Sequence, residues 1–255
     1  MKRPRILIVN DDGIHGPGLE PLIDSLRRIG DVTVVVPDSE RSADSHSLTL
    51  HKPLRVQEIR RKVFILNGSP AACTRIAVLE LLKGRVDLVA SGINRGHNLG
   101  QDVVYSGTVA AAMEATMLGL PAFAISRGYR HRSEKQSRTQ YGAAARFARR
   151  LALNILRHGL PKNVCLNVNV PDLPPTRIAG ARVTRLGERI YDNKVTLSHD
   201  PSGSPYFWLM GKEVKGVASP GSDVEAMQNR CISVTPLQID NTHVPSFPLL
   251  EKWDL

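Results

Sequence analysis

The sequence predicts an α/β fold: a doubly wound, Rossmann-like, mostly parallel sheet with helices on both faces, followed by a β-rich C-terminal extension. Short apolar, β-branched runs alternate with helix-like segments as far as about residue 171, which is the pattern of successive βαβ units. Beyond Pro171 further prolines break the chain, and short strand-like pieces follow without an amphipathic helix of ordinary length. We therefore predict a Rossmann-like α/β core over residues 1–171 and an extension over residues 172–255 that is used in oligomerisation.

The first βαβ unit is the clearest. Arg5–Val9 is a short apolar run typical of a strand that is buried on both faces, and residues 32–36 form a second such run, which Pro37 ends. Between them, residues 17–30 predict a helix with Gly30 as its stop. The apolar residues of this segment recur at helical spacing on one face: Leu19, Leu22, Ile23, Leu26 and Ile29. The two strands are expected to be parallel, with a right-handed crossover between them.

The same alternation continues along the chain. Strands are predicted at residues 63–66, 86–90, 121–125 and 164–170. Helices are predicted from a cap at Ser69 and Pro70 to Gly84, and over residues 108–118 and 139–157. In the extension the strand-like pieces are residues 178–185, 206–210 and 231–235.

Bulk composition narrows the possible function classes. The 255 residues are 42% hydrophobic and 23% charged, as in an ordinary globular protein. Cys73, Cys165 and Cys231 are far apart and form no CxxC pair, which argues against a disulfide framework and a zinc site and suits a reducing compartment. The first apolar run is too short for a signal peptide, and no stretch is long enough to cross a bilayer. We therefore expect a cytoplasmic protein without a membrane partner.

The formal net charge of +10 is the one unusual bulk property. Such a charge suggests nucleic acid or anionic small molecules as partners. Much of the excess lies between Arg127 and Arg150, where Glu134 is the one acidic residue. Because aromatic residues make up only 5% of the chain, a stacking platform for single strands is not expected. We interpret the segment as a solvated basic loop that leads into a basic helix face.

Two aspartates follow the first predicted strand. In a doubly wound sheet the ligand site lies outside the carboxyl ends of the strands, and here strand one ends in Asn10-Asp11-Asp12-Gly13. Adjacent carboxylates repel each other and lose hydration when partly buried, and a cation relieves both costs. Oxygen ligands suit Mg²⁺ or Mn²⁺. The plainer alternative is a solvated acidic turn.

Three further polar segments belong to the same edge. The hydroxyl-rich loop 38–47 follows strand two, and residues 91–100 follow strand four with three glycines and Asn94, whose amide oxygen is a neutral ligand. Tyr105-Ser106-Gly107-Thr108 then opens an alanine-rich helix. Free N–H groups at such a helix start bind phosphate, although the segment can also be a simple cap. Because these groups converge on one rim, the sequence predicts metal-assisted phosphoryl chemistry.

Five motifs in this order resemble the survival protein E (SurE) family. They are Asn10-Asp11-Asp12-Gly13, Arg41-Ser42, Ser91-Gly92-Ile93-Asn94, Asn98-Leu99-Gly100 and residues 105–114, YSGTVAAAME. The resemblance covers nearly the whole chain, including residues 167–171, 183–185 and 233–237. It implies a 5′/3′-nucleotidase with one divalent cation per subunit, Mn²⁺ or Mg²⁺, held by Asp11, Asp12, Ser42 and Asn94. It also implies a Rossmann-like core and a C-terminal extension that exchanges between subunits to give a homodimer or homotetramer.

Residues and resemblance together predict a phosphatase that hydrolyses nucleoside 5′-monophosphates to nucleoside and phosphate with a metal-activated water. The expected catalytic residues are Asp11, Asp12 and Asn98. The residues expected to hold the phosphate and stabilise the charge of the transition state are Asn98, Ser106, Gly107 and Thr108. Nucleoside 3′-monophosphates and short polyphosphate stay open as further substrates, as does the preferred base.

Two departures from the family pattern bear on these expectations. Ala43 stands where the family has glycine after the Arg-Ser pair, so the loop that carries Ser42 is expected to differ. The segment Gly68-Ser69-Pro70-Ala71-Ala72-Cys73 replaces a Gly-Thr-Pro with a following Asp, and it bears on base or ribose contacts.

Two other function classes remain as alternatives. The acidic turn after strand one resembles a receiver-type signalling domain, but such a domain needs a phospho-acceptor Asp after strand three, where this chain has Asn67-Gly68-Ser69. The net charge alone suggests a basic nucleic-acid-binding protein, which would show a steep salt dependence of duplex binding.

Overall fold

A nine-stranded sheet organises the computed structural model, which describes residues 3–128, 138–191, 195–209 and 214–254. In chain order the strands are β1 (Arg5–Val9), β2 (Asp31–Pro37), β3 (Val56–Arg60), β4 (Val63–Leu66), β5 (Leu88–Arg95), β6 (Ala122–Arg127), β7 (Val164–Val170), β8 (Gly180–Val183), β9 (Glu188–Tyr191), β10 (Thr196–His199), β11 (Pro205–Trp208), β12 (Val214–Val217) and β13 (Cys231–Gln238). The helices are α1 (Leu19–Arg27), α2 (Pro70–Ile76), α3 (Gly107–Met117), α4 (Gly142–His158), α5 (Asp223–Gln228) and α6 (Phe247–Leu250).

The large sheet confirms the predicted doubly wound, mostly parallel α/β fold. Its strand order is β3-β4-β2-β1-β5-β6-β7-β13-β8. The six strands from β4 to β7 in this order are parallel, whereas β3 and β13 run antiparallel to β4 and β7. The chain winds outward from β1 to one side and from β5 to the other, so the topological switch lies between these two strands. Ligand sites of open α/β sheets lie at the carboxyl ends of strands at such a switch.

Side-chain alternation along β1 shows how the sheet builds a core on each face. Ile6 and Ile8 pack with residues of α1 and α4, while Leu7 and Val9 pack with residues of α2 and α3. Successive strand residues point to opposite faces, and all four side chains are at most 1% exposed. The continuous apolar run of β1 is therefore explained by helices that cover both faces of the sheet.

Most core elements lie where the sequence predicts them, and the differences have physical causes. The Ser69 hydroxyl accepts a hydrogen bond from the Ala72 amide at 3.3 Å and caps α2, as predicted, but the helix continues as a π-helical segment over Ala77–Leu81. Strand β5 runs on to Arg95 because it keeps pairing with β6, so Asn94 lies within the strand rather than in the loop after it. Strand β3 was missed because all its residues are exposed at the sheet edge and show no alternation.

The basic segment divides into parts with different environments. The interpretation of Arg127 as part of a solvated loop is wrong, because this residue ends β6 and is 4% exposed. Its guanidinium pairs with Asp172 and lies 5.1 Å from the ring centroid of Tyr141. The predicted loop residues Arg130, Arg132, Glu134 and Lys135 lie outside the described residues. On α4, Arg146 and Arg150 are exposed, as a basic helix face requires.

The C-terminal region is β-rich, as predicted, and its strands belong to three sheets. Strands β13 and β8 extend the large sheet, β9 pairs with β12, and β10 pairs with β11 in a separate hairpin. The division of the chain at residue 171 stays a prediction. In the part of the chain that the structure describes, no helix is long and apolar enough to cross a membrane.

Candidate active site

The turn after β1 presents two carboxylates at the switch point. The Asn10 side chain closes this turn, since its Nδ2 donates to the Gly13 carbonyl at 2.9 Å and its Oδ1 accepts from the Gly13 amide at 3.1 Å. Gly13 has a φ of +73°, a conformation that favours glycine. The turn is thus held from both ends, and Asp11 and Asp12 project from a fixed backbone.

Asp11 is buried beneath the start of α3. Its side chain accepts a hydrogen bond from the Thr108 hydroxyl, and its carbonyl accepts one from the Arg41 amide at 2.8 Å. A Cβ on Gly107 would lie 3.0 Å from the Asp11 Cβ, so a residue without a side chain lets the helix start come this close. Gly107 and Thr108 therefore lie behind Asp11, and the Thr108 hydroxyl is already engaged with it.

Asp12 is half-buried beside Asp11. Its Oδ2 accepts a hydrogen bond from the Arg95 amide at 3.0 Å, which joins the turn after β1 to the end of β5. Burial raises the pKa of Asp11 to about 6. Burial, and then the charge of Asp11, raises the pKa of Asp12 to about 7. Without a cation, this pair is costly to ionise together.

Neutral oxygens complete a possible donor set. The Asn94 Nδ2 donates to the Gly96 carbonyl at 3.1 Å, so the amide oxygen is the atom left to bind a ligand. Ser42 is exposed, and its hydroxyl donates to Glu40 Oε1 at 2.7 Å. Ala43 adopts a φ of +62°, so this position keeps the backbone conformation that favours glycine although it carries a side chain.

This donor set fits a hard divalent cation. Within the residues that the structure describes, no group of three or more His, Cys, Asp and Glu side chains could hold a metal. The site instead offers two adjacent carboxylates, an amide oxygen and a hydroxyl, which suits Mg²⁺ or Mn²⁺ and not zinc.

Asn98 is anchored by residues of β6 and β7. Its amide donates to Asn169 Oδ1 at 2.8 Å, and its carbonyl accepts from Asn167 and Asn169 at 2.8 and 2.9 Å. Its side-chain Nδ2 donates to the Ser126 hydroxyl at 2.7 Å. The asparagines of β7 thus fix the loop that carries Asn98, whereas the sequence analysis predicted residues 164–170 only as a strand.

The N-terminus of α3 faces the same space. The Ser106 hydroxyl accepts from the Val109 amide at 3.1 Å and caps the helix. The amides of the first turn have no partner within the helix, and the helix dipole adds partial positive charge there. This end of the helix is therefore suited to an anion.

One cavity of about 510 Å³ joins these groups. Five of the predicted residues line it: Asp11, Ser42, Asn94, Asn98 and Ser106. Asp12 is connected to it through the Arg95 amide. Other polar and aromatic residues of its wall were not among the predicted site residues: Glu40, Arg95, His97, Asp102, Tyr105, Arg189 and Tyr191. Arg189 and Tyr191 come from the extension, far away along the chain, and no local pattern marks them.

The buried carboxylate of Glu114 ties the loop of Ser42 to α3. Glu114 is 1% exposed and accepts from His46 Nε2 at 3.0 Å and from Arg75 Nε at 2.6 Å. Although burial opposes ionisation, these two hydrogen bonds lower the pKa of Glu114. Since His46 belongs to loop 38–47, Glu114 anchors that loop to the helix that begins at the site.

The chain is similar to known proteins in both sequence and fold. The family model described as "Survival protein SurE" matches residues 6–193. A 5′-nucleotidase SurE from Geobacter sulfurreducens is 46% identical over 250 residues, covering 98% of this chain and 94% of the relative. One from Syntrophotalea carbinolica is 46% identical, with 98% and 97% coverage. The crystal structure of the SurE protein from Aquifex aeolicus matches with a TM-score of 0.84 and 36% identity, covering 97% of this chain and 98% of that one.

Proposed function

This chain belongs to the survival protein SurE family, and we propose that it is a 5′-nucleotidase that hydrolyses nucleoside 5′-monophosphates with the help of one divalent cation per subunit. As a phosphoric monoester hydrolase it acts on nucleotides, as its relatives named 5′-nucleotidase SurE do. The observation that carries the metal dependence is the contact between Asp11 and the start of α3, which puts the Asp11 carboxylate and the N-terminus of an anion-binding helix on one cavity.

The roles of the residues follow from their positions. Asp11, Asp12, Ser42 and Asn94 would hold Mn²⁺ or Mg²⁺, which supplies charge to polarise the phosphate and acidify a water. The amides at the start of α3 hold the phosphate, and Ser106 keeps them in place as the cap. Asn98 contributes a polar side chain from a rigid loop and stabilises developing charge.

The alternatives from the sequence have less support. A receiver domain needs a phospho-acceptor after β4, but Asn67 stands there and its Oδ1 accepts from the Arg55 amide at 2.7 Å. Activity on 3′-monophosphates and short polyphosphate belongs to the same proposal, because a site built around phosphate and a cation does not by itself distinguish these phosphomonoesters from each other or from a phosphoanhydride.

We also propose that the chain assembles as a homodimer or homotetramer through its extension and acts in the cytoplasm. Exposed side chains support the first statement: Phe207 is 63%, Trp208 59% and Leu209 84% exposed. Such a cluster at the surface marks a protein interface. The buried free cysteines support the second, since they suit a reducing compartment.

The test is a panel of phosphomonoesters assayed with Mn²⁺, with Mg²⁺ and with EDTA. We expect hydrolysis of nucleoside 5′-monophosphates that EDTA abolishes and added Mn²⁺ restores. Full activity in EDTA would refute the metal, and hydrolysis of simple phosphate esters without any turnover of nucleotides would refute the substrate class.

A further inference from the structure

We propose that the extension completes the active site with a nucleoside-binding subsite formed by the rings of Tyr105 and Tyr191 and by the ion pair of Asp102 with Arg189. The inference rests on the proposed function, since it concerns the part of the substrate that does not react. It predicts that the enzyme binds nucleosides with different bases at similar affinity.

The position of Tyr105 makes it a neighbour of the phosphate site. Tyr105 directly precedes Ser106, the cap of α3, and its side chain is 58% exposed although it lines the cavity. Its carbonyl accepts from the Ser45 amide at 3.2 Å, which ties it to the loop of Ser42. A substrate whose phosphate lies at the helix start therefore has an aromatic surface next to it.

Tyr191 offers a second ring in the same cavity. It is 40% exposed, and its hydroxyl donates to Asp102 Oδ1. Among the residues that the structure describes, Tyr105 and Tyr191 are the two aromatic residues that line this cavity. Bases stack on such rings whatever their identity, because every base has a π face.

The charged pair suits the hydroxyls of a ribose. Arg189 Nε lies 3.0 Å from Asp102 Oδ2, so both oxygens of this carboxylate meet residues of β9. A guanidinium has five N–H donors, and the contact through Nε leaves donors for a ligand. The pair is largely withdrawn from solvent, at 19% and 17% side-chain exposure, which strengthens the electrostatic attraction between the two charges.

Buried contacts hold this wall in register with the catalytic core. The carboxylate of Asp223 is fully buried and accepts from the Gly100 amide at 2.9 Å and from the Gly187 amide at 2.8 Å. A Cβ on Gly100 would lie 2.6 Å from the Gly187 carbonyl oxygen, so the two segments touch through backbone.

The Gln101 side chain makes a second connection between the core and β9 through two hydrogen bonds to the backbone of Arg189. It accepts from the Arg189 amide at 2.8 Å and donates to the Arg189 carbonyl. Strand β9 is therefore attached to the rim rather than resting against it, and a rigid wall of this kind is what a binding subsite needs.

The experiment compares AMP with ribose 5-phosphate, which carries the same phosphate and sugar without the base. For Tyr105→Ala we expect the ratio of kcat/KM for AMP to that for ribose 5-phosphate to fall about 5- to 150-fold, the range of one stacking contact. Tyr191→Phe keeps the ring and should retain most of the ratio, whereas Tyr191→Ala should lower it. Val104→Ala is the matched control, because Val104 is 65% exposed beside Tyr105 but does not line this cavity.

A second readout separates this proposal from the proposed function. Adenosine binding to the full chain is measured by calorimetry in EDTA, where no hydrolysis takes place. Weaker adenosine binding in Tyr105→Ala, with unchanged binding in Val104→Ala, supports the subsite even if wild type fails to turn over AMP. Equal losses on AMP and ribose 5-phosphate, or adenosine affinity that Tyr105→Ala leaves unchanged, would overturn it.

Discussion

The side chains at the rim of the sheet and those in the C-terminal hairpin have opposite environments. At the rim, Asp11 is 4% exposed and Ser126 and Asn169 are fully buried, and the hydrogen bonds that position the site come from the same chain. In the hairpin of β10 and β11, Phe207 and Trp208 are 63% and 59% exposed. A single chain therefore supplies the hydrogen-bond partners of the rim but leaves the aromatic side chains of the hairpin exposed to solvent.

The two regions differ because buried polar groups and exposed apolar groups have different requirements. Polar groups at the rim need partners close at hand, because an unpaired buried polar group is costly. In the proposed assembly, the exposed apolar surface of the hairpin would be buried against a second subunit, since contact with another copy removes that area from water. Strand β9 belongs to the extension but is attached to the core by hydrogen bonds. Gln101 accepts from the Arg189 amide, and Asp223 joins Gly187, which precedes β9, to Gly100.

The largest expected effect lies at the rim. Asp11→Asn or Asp12→Asn should lower kcat by about three orders of magnitude or more, because loss of a carboxylate ligand removes the cation and its charge stabilisation. The fold should survive, since the Thr108 and Arg95 hydrogen bonds can be made to an amide oxygen. Turnover is measured at saturating Mn²⁺, with circular dichroism as the control for folding. Near-wild-type turnover in either variant would remove these residues from the metal site.

The hairpin provides the next test. Phe207→Glu should weaken the assembly about 30-fold or more, which corresponds to ~2 kcal/mol for a central aromatic contact. Sedimentation velocity over a range of concentrations measures the change. Leu153→Glu is the matched control, because Leu153 is 50% exposed on α4 of the core. If both variants sediment as wild type does, the hairpin is not the interface.

A smaller effect distinguishes the cap from the ligand support at α3. Thr108→Val removes a hydrogen bond to Asp11, so kcat/KM at limiting Mn²⁺ should fall about tenfold, the range for hydrogen bonds to charged groups.

Ser106→Ala should cost about 1 kcal/mol of stability as a lost cap and should also weaken binding of inorganic phosphate. Thermal shift with phosphate reads the second effect. Normal kinetics and full stabilisation by phosphate in both variants would place the anion elsewhere.

The smallest effect is a pH dependence of the metal-free protein. The pKa values of Asp11 and Asp12 are raised to about 6 and about 7, so folding favours their protonated forms. Their contribution to stability is present below about pH 4 and is lost as the pH rises through about 7. In EDTA, Asp12→Asn should therefore melt about 2–4 °C above wild type at pH 8, the shift that ~1 kcal/mol produces, with a smaller gap at pH 5. Mn²⁺ should reverse the order at pH 8. A gap independent of pH would show that these carboxylates ionise without cost.

Much of the core could be predicted because its signals are local. The apolar run of β1 requires cover on both faces, and Ser69 with Pro70 marks a helix start by its own chemistry. Strand β3 gave no such signal, since an exposed edge strand needs no apolar alternation. The prediction for Arg127 was wrong because its basic neighbours along the chain suggested a solvent-exposed loop. In the fold, its guanidinium pairs with Asp172 and lies over the ring of Tyr141.

The doubly wound core, the strand-end position of Asp11 and Asp12, and the family with its expected ligands were predictable from residue patterns alone. Folding was needed to reveal that the Thr108 hydroxyl donates to Asp11, that Glu114 anchors the loop of Ser42, and that Tyr191 lines the cavity. Periodicity and capping act within a few residues, whereas these contacts join segments that are distant along the chain and come together only when the whole chain folds.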